Sequence, residues 1–535
     1  MGTPLSSTPS AATAGSNVSG RFGPADRVTF FEEQRRNRRR SWRFSVLSVA
    51  TVLVTGIPVS VVVTPFIYVF LLLTGNIANA IRPLDAATVQ QMRGLAYLLP
   101  RAFVRLMDAK SLAAVPSLLP SLLVLVLPGA LVMLALWLAV RLTFRETGVG
   151  GVLLRLGARP PRPDDFEEHQ LVNVVEEMAV AAGVATPRVL LLDVPAANAV
   201  AIGTSLHDAT IIVTRGLLDL LNREQAEAVI AHVVGSVGNG DLRIAHTLFS
   251  VYQTFGLLSL LLNSAFGPRS RDALWSVLRL AFMRRGTVSV EEDAGALAEL
   301  LERSGAGDGQ DDLSDYMDDS KHHRGAVRSM LRAPLMFGIG FPTVTAQFTI
   351  GMASTLLFGP AFAALWRARR RLADATAVQL TRNPESLASA LERMQMSPVD
   401  VGGAEGISLL FAMWKGGAAE RGRQRPTMFS GFQPSLGKRL KRLQAQGAAL
   451  REGRRATRGA VLVLVLIGII IVPLLLIALV LTLFVLVMML VLDVAFMSIM
   501  LIVADQVLHL AFTYGPVVIH KYGPPAVRWV KGRLA

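Results

Sequence analysis

Cysteine is absent from all 535 residues, so the chain has no disulfide, no thiolate metal ligand and no thiol nucleophile. Charge is scarce too. Only 17% of residues are Asp, Glu, Lys or Arg while 52% are hydrophobic, a balance that points to lipid rather than water as the main solvent. Aromatic residues make up 7% and are not interleaved with the arginine runs, which excludes nucleic acid as the expected partner despite a net charge of +15. The first twenty or so residues are mostly Ser, Thr, Ala and Gly, with almost nothing to bury, and no cleavable signal is expected before the first apolar run, which is span-length and follows a long polar arm.

Long apolar runs dominate what is present. Uncharged stretches cover Phe44 to Leu73, Ser111 to Val140, Ala333 to Trp366 and Gly459 to Leu492, each long enough for a spanning helix, and Ile244 to Phe266 is a shorter candidate. The last apolar block continues to about Leu508 and as one helix would measure about 75 Å, so it reads as a hairpin turning near Val480 to Val485. Six spans result. Arg35 to Arg43, Arg141 with Arg145, and Arg367 to Arg371 flank three of them, and Trp42, Trp137 and Trp366 fall at the same boundaries; by the positive-inside rule these flanks and both termini are cytoplasmic. Rich Ala, Gly, Leu and Arg usage adds a bacterial inner membrane as the expected location.

The expected organisation is a disordered basic arm (1–43), a first transmembrane hairpin (44–143), a cytoplasmic part (144–243), a second transmembrane pair (244–366) with a periplasmic loop (267–332), a basic cytoplasmic part (367–458), a C-terminal hairpin (459–508) and a cytoplasmic tail (509–535). In the first cytoplasmic part, Phe166 to Ala182 has helical periodicity, with Leu171, Val174, Val175 and Met178 on one face and Glu167, Glu168, Glu176 and Glu177 on the polar side. Three β-rich runs follow, Arg188 to Val194, Asn198 to Gly203 and Ala209 to Thr214, predicting a small sheet on consecutive strands. A helix starts at Gly216, and another takes Asn222 as its N-cap.

That last helix carries Glu227-Ala-Val-Ile-Ala-His232-Val-Val-Gly-Ser236, followed by Asn239-Gly240-Asp241. It has the frame of a zinc-protease helix, in which H-E-x-x-H sets two imidazoles on one face toward a metal and the Glu deprotonates the bound water. Taken with Asn198-Ala-Val-Ala-Ile-Gly203, Gly216-Leu-Leu, Leu372-Ala373-Asp374, Leu380-Thr-Arg-Asn-Pro384 and Gln433-Pro-Ser-Leu436 with Arg439 and Leu443, the chain from about Arg145 to Gly447 resembles the HtpX-type membrane zinc metalloproteases. The resemblance implies an α-helical polytopic membrane protein of about six spans with an α+β zincin-like cytoplasmic domain carrying a small β-sheet.

It also implies where the chemistry belongs. The first zinc ligand falls on His232, the general base on Val233, the second ligand on Ser236 and the third on Leu372; Gln433 stands where the family has His, and Asp374 supports the site from behind. No catalytic set is intact, because one imidazole cannot replace three protein donors, and no zinc or other cofactor is expected unless replacement ligands converge. His169, His207, Asp241, Asp374 and, if the helix breaks at Gly240, His246 are candidates for that convergence; Asp311 to Asp319 beside His322 and His323 form a separate acidic cluster. The Ser236 hydroxyl is expected to bond back to the His232 carbonyl. Asn198, Ala199 and Gly203 mark a substrate groove that needs no metal to hold an extended peptide.

Three functions stay open at this stage: a pseudoprotease serving as a binding or regulatory scaffold, an active zinc metalloendopeptidase with a rearranged site, and a channel-like or lipid-handling protein using Asp493. Partners expected are the bilayer and membrane proteins, peptides or an active protease paralogue. Asp505 and His509 read as an interfacial pair.

Overall fold

The computed structural model describes residues 30–81, 84–109, 115–147, 157–264, 270–272, 274–275, 340–352, 356, 359–399, 401, 410–413, 432–449, 473–474 and 476–510. Helix α1 (Phe30–Ile81) is about 78 Å long and runs without interruption through Pro58 and Pro65. The arm expected to be disordered up to residue 43 is therefore helical from Phe30. Glu33, Asn37 and Ser41, spaced one turn apart, are buried, and that face holds the arginine-rich turns against the rest of the protein.

Two short helices, α2 (Ala86–Ala96) and α3 (Leu98–Met107), join α1 to α4 (Val115–Thr147), so the first pair is not a simple hairpin. Helices α1 and α4 touch at Gly129: a Cβ there would lie 2.1 Å from the Ser60 carbonyl oxygen, and the Gly129 N–H donates to Thr64 Oγ1 at 3.0 Å. Small residues let apolar helices approach this closely in a membrane. Gly129→Val is expected to destabilise the pair by about 1–3 kcal/mol, read as a lower melting temperature of the full chain in detergent.

The soluble part follows the sequence closely. Helix α5 (Phe166–Ala182) starts at the Asp165 cap and ends on Gly183 in the left-handed region (φ 64°). Strands β1 (Arg188–Leu192), β2 (Ala199–Ile202) and β3 (Thr210–Thr214) form the sheet, but in the order β1-β3-β2: β3 is central, parallel to β1 and antiparallel to β2. Glu168, placed on the polar side by periodicity, is buried because the Arg159 guanidinium takes both its oxygens at 2.9 and 2.7 Å, and that pairing holds its carboxyl down at about 2.

Helix α6 (Arg215–Leu220) leads to α7 (Arg223–Gly238), which begins with a capping box between Asn222 and Gln225. Gly240 (φ 82°) breaks the chain before α8 (Asp241–Asn263). Beyond it come α9 (Phe341–Met352), α10 (Gly359–Thr381), α11 (Pro384–Met396), α12 (Leu436–Ala445) and α13, a continuous helix over Leu476–Leu510. The sheet and helices α5, α7, α10 and α11 enclose the core of the soluble part, with Leu191, Ile211, Val213, Val229 and Leu391 at its centre.

Among the described residues four helices are long and apolar enough to cross a membrane: Phe31–Asn79, Pro116–Arg141, Asp241–Asn263 and Leu476–Leu510. The six-span expectation is thus met only in part. The turn expected near Val480 to Val485 lies inside α13, since nothing in that run breaks an apolar helix; residues 459–472 lie outside the described residues. The expected Ala333 to Trp366 span is represented by α9 and the start of α10. Trp42 is exposed and Arg141 stacks on Trp137 at 5.1 Å, as boundary residues do, but Trp366 is buried under Arg370. Arg369 and Arg370 are buried as well rather than forming a solvated flank, because the soluble core supplies their partners. Asp505 pairs with Arg93 at 3.3 Å and accepts from the Tyr97 hydroxyl at 3.0 Å, which replaces the expected pairing with His509. Asp493 is buried in α13, and neither of its oxygens has a hydrogen-bond partner among the described residues.

Candidate functional site

The site forms where α7 crosses α10. The two helices come close at Gly235, where a Cβ would lie 2.9 Å from Thr376 Cγ2, so the α7 face carrying His232 and Ser236 is pressed toward α10. From α10, Asp374 reaches one side of the imidazole, its Oδ1 lying 2.8 Å from His232 Nδ1. Arg370, one turn earlier on the same face, reaches the other side, with Nη1 3.4 Å from Nε2. The pairing of Asp374 with His232, open at the sequence level, is present.

The charges have a consistent order. Arg439 from α12 donates to both Asp374 oxygens, Nε to Oδ2 at 3.0 Å and Nη2 to Oδ1 at 2.6 Å, and its Nη1 donates to the Ala412 carbonyl at 2.9 Å. Burial acts to raise the Asp374 pKa, yet Arg439 and His232 outweigh it, and the carboxyl stays well below the usual carboxylate range. Burial pushes the His232 imidazole below its ordinary value, with Asp374 opposing and the Arg439 and Arg370 charges assisting. A neutral ring with its proton on Nδ1, in contact with the Asp374 carboxylate, leaves Nε2 to face the Arg370 guanidinium as an acceptor. Burial also pushes Arg370 down to about 10, which leaves it a cation at neutral pH.

Arg370 holds more than the imidazole. Its Nη2 donates to the carbonyl oxygens of Leu410 and Phe411, the latter at 2.8 Å, and Gln433 Nε2 donates to the same Phe411 oxygen at 3.0 Å. Leu410 to Met413 in turn lies on the outer edge of β2: Val200 and Phe411 form an antiparallel bridge, and the Ala412 N–H donates to the Ala199 carbonyl at 2.9 Å. Asn198 fastens the end of this segment, its Nδ2 donating to the Val399 and Met413 carbonyls at 2.8 and 2.5 Å. The expected groove is therefore already lined with chain at Asn198 and Ala199, while Gly203 (φ 138°) closes β2 against Asp208, whose carbonyl a Cβ would meet at 2.8 Å.

The remaining expected site positions separate. Val233 is buried in the apolar core with Val229 and Val237. The Ser236 hydroxyl donates to the Val233 carbonyl at 2.8 Å, one residue nearer than the His232 carbonyl expected from the sequence. Leu372 is buried but stands about 200° around the helix from Arg370, so it cannot share the face that meets His232. The α10 position facing Nε2 is Arg370, and this corrects Leu372 as the site of a third ligand. Asp241 is taken by Arg369 at 2.5 Å. Among the described residues no three His, Asp or Glu side chains converge to hold a metal; Asp311 to His323 lie outside the described residues.

A zinc ion does not fit this donor set. Beside the one imidazole nitrogen not facing Asp374 sits a guanidinium, the second-ligand position carries a hydroxyl turned to its own backbone, and the base position is a core valine. Sequence reasoning missed Arg370 and the Leu410–Met413 segment. The signal for Arg370 was its spacing, four residues before Asp374 and hence on the same helix face; no local pattern marks residues 410–413.

Comparison with known proteins agrees with the geometry of the frame. Residues 165–301 match the family described as Peptidase family M48. Proteins named "Protease HtpX homolog" are similar: that of Dictyoglomus turgidum is 31% identical over 44% of this chain and 57% of its own length, and that of Limosilactobacillus fermentum is 30% identical over 43% and 58%. One from Streptococcus thermophilus is 37% identical over a shorter stretch, 23% of this chain and 40% of its own length. The chain thus matches less than two thirds of the length of these relatives. No solved structure matches it significantly. With its four candidate membrane helices, its small sheet and the His232 helix in the family's order, the chain resembles the HtpX-type members of peptidase family M48, the family match falling on residues 165–301.

Proposed function

We propose that this chain is a non-hydrolytic member of its family, a pseudoprotease that serves in the bacterial inner membrane as a binding or regulatory scaffold, with both termini cytoplasmic. One observation carries the reading: the Arg370 guanidinium stands at His232 Nε2, so the protein's own cation fills the place a metal would need. The same guanidinium ties α10 to the Leu410–Met413 segment through two carbonyls, which makes the former reaction centre a structural junction. An extended peptide that joins β2 does so by taking the place of Leu410–Met413, and its partners by this reading are membrane proteins, peptides or an active paralogue.

The relatives' names point instead to proteolysis, and an assay separates the two. The full chain, reconstituted in liposomes, is incubated with casein and with a membrane-protein substrate, with and without a chelator. No chelator-sensitive cleavage is expected; cleavage that a chelator stops and His232→Ala abolishes would establish an active enzyme.

A further inference from the structure

We propose that the arginines at the start of α1, together with Arg371 and Arg442, form a binding site for the phosphate of an anionic phospholipid headgroup. The proposal concerns a different face from the His232 site and holds whether or not that site hydrolyses anything.

Helix α1 divides its first turns between two faces. Glu33, Asn37 and Ser41 are buried, and Gln34 Nε2 donates to Gln379 Oε1 at 2.5 Å, which fixes the helix on α10. Arg36, Arg39 and Arg43 lie exposed on the other side, along a cleft of about 690 Å³ that runs from Phe31 to Arg43. Where this helix meets α10 and α12, further cations gather. Arg371 is pushed down to about 10, by burial first and then by Arg442 and Arg40. Arg442 is lowered by burial and by Arg40 and Arg36, with Glu33 and Asp374 the acids that oppose them.

Glu33 cannot neutralise this group. It accepts from Asn37 at 3.0 Å and lies 3.8 Å from Arg442 Nε. Arg371 Nε is buried with no hydrogen-bond partner among the described residues. Part-buried and exposed cations from three helices, outnumbering the nearby acids Glu32, Glu33 and Asp374, together with an unused donor describe a place that gains by receiving a multivalent acceptor, and a phosphate group offers several oxygens in the geometry guanidinium groups match.

Depth selects the source of that phosphate. The apolar run of α1 begins at Phe44, directly after Arg43, and Trp42 is 70% exposed beside it. Helix α4 supplies a second marker of the same boundary. Arg43 is 17 residues before the Ser60 contact and Arg141 is 12 residues after Gly129, distances of about 26 and 18 Å along antiparallel helices, so Arg43 stands about 8 Å beyond the level where Arg141 stacks on Trp137, in the polar layer outside the apolar run. Headgroup phosphates occupy that layer, and basic pockets between helices on the cytoplasmic side hold them.

The test uses the full chain purified in mild detergent and equilibrated with mixed micelles of phosphatidylcholine and phosphatidylglycerol, the retained lipid being measured by mass spectrometry. Phosphatidylglycerol should be enriched at least about tenfold, and the Arg40→Gln, Arg371→Gln, Arg442→Gln triple variant should lose most of that enrichment. Equal retention of the two lipids, or full enrichment in the folded triple variant, would overturn the proposal. Should the triple variant fail to fold, the melting temperature of the parent chain decides. A rise with phosphatidylglycerol but not with phosphatidylcholine or inorganic phosphate supports the site, whereas no rise, or the same rise with inorganic phosphate, refutes it.

Discussion

Changing Val233→Glu, Ser236→His and Arg370→Glu together is expected to raise zinc binding from a trace to about one ion per chain, while the same change with Leu372→Glu in place of Arg370→Glu is expected to bind almost none. The difference rests on helix geometry. Positions 370 and 374 lie one turn apart on the α10 face that meets His232, whereas position 372 points to the far side. Substituting Arg370 also removes the guanidinium now lying at Nε2, so a donor is gained and a repelling charge lost in one step. Zinc per chain by elemental analysis, with folding checked by circular dichroism, distinguishes the two triple variants. Equal zinc in both would show that the α10 register assigned to the site is wrong.

Asp374→Ala is expected to cost about 3–5 kcal/mol, the largest loss of any single change at the site, because it strands a buried guanidinium. Arg439 is 3% exposed as a side chain and both of its bonds to a carboxylate end on Asp374; His232 Nδ1 loses its partner at the same time. Urea titration of the full chain in detergent measures the loss. Acid should act on the same junction. The folded site holds His232 neutral, so below about pH 6.5 the unfolded chain takes up a proton that the folded chain does not, and stability falls as pH drops. The depressed Asp374 carboxyl adds a second loss that begins only below about pH 4, the ordinary carboxylate value. His232→Gln should flatten the first window and leave the second; an unchanged slope between pH 5 and 6.5 would place the titration elsewhere.

How much of this was legible beforehand depends on how local each signal is. The bounds of α5, the Asn222 cap of α7 and the three strands come directly from periodicity and capping residues, because neighbours in sequence determine them. The order β1-β3-β2 does not, since pairing is a contact between distant segments. Glu168 was misplaced for a similar reason: its helical position faces solvent by composition, yet Arg159, outside the helix, pulls it inward. In the membrane part, hydropathy finds apolar runs but not the points where they bend, and it treats the α1 arginines as a loose arm although Glu33, Asn37 and Ser41 give that stretch a buried face.

At the site, ancestry was readable and geometry was not. His232 and Asp374 meet where α7 crosses α10, whereas Ser236 turns to its own backbone; the motif alone assigns the α10 ligand to Leu372, and only the crossing with α7 picks out Arg370. The arginine run after Trp366 looked like a membrane flank. Its members instead divide between Asp241, held by Arg369, and the His232 junction, held by Arg370, because two buried acceptor groups lie within reach of one helix.

The central claim is that a guanidinium holds the place of a metal ion beside His232, and metal content tests it most directly. The unmodified full chain, expressed with zinc supplementation and purified without chelator, should contain less than about 0.1 zinc per chain by elemental analysis. About one zinc per chain, lost on His232→Ala, would contradict the account.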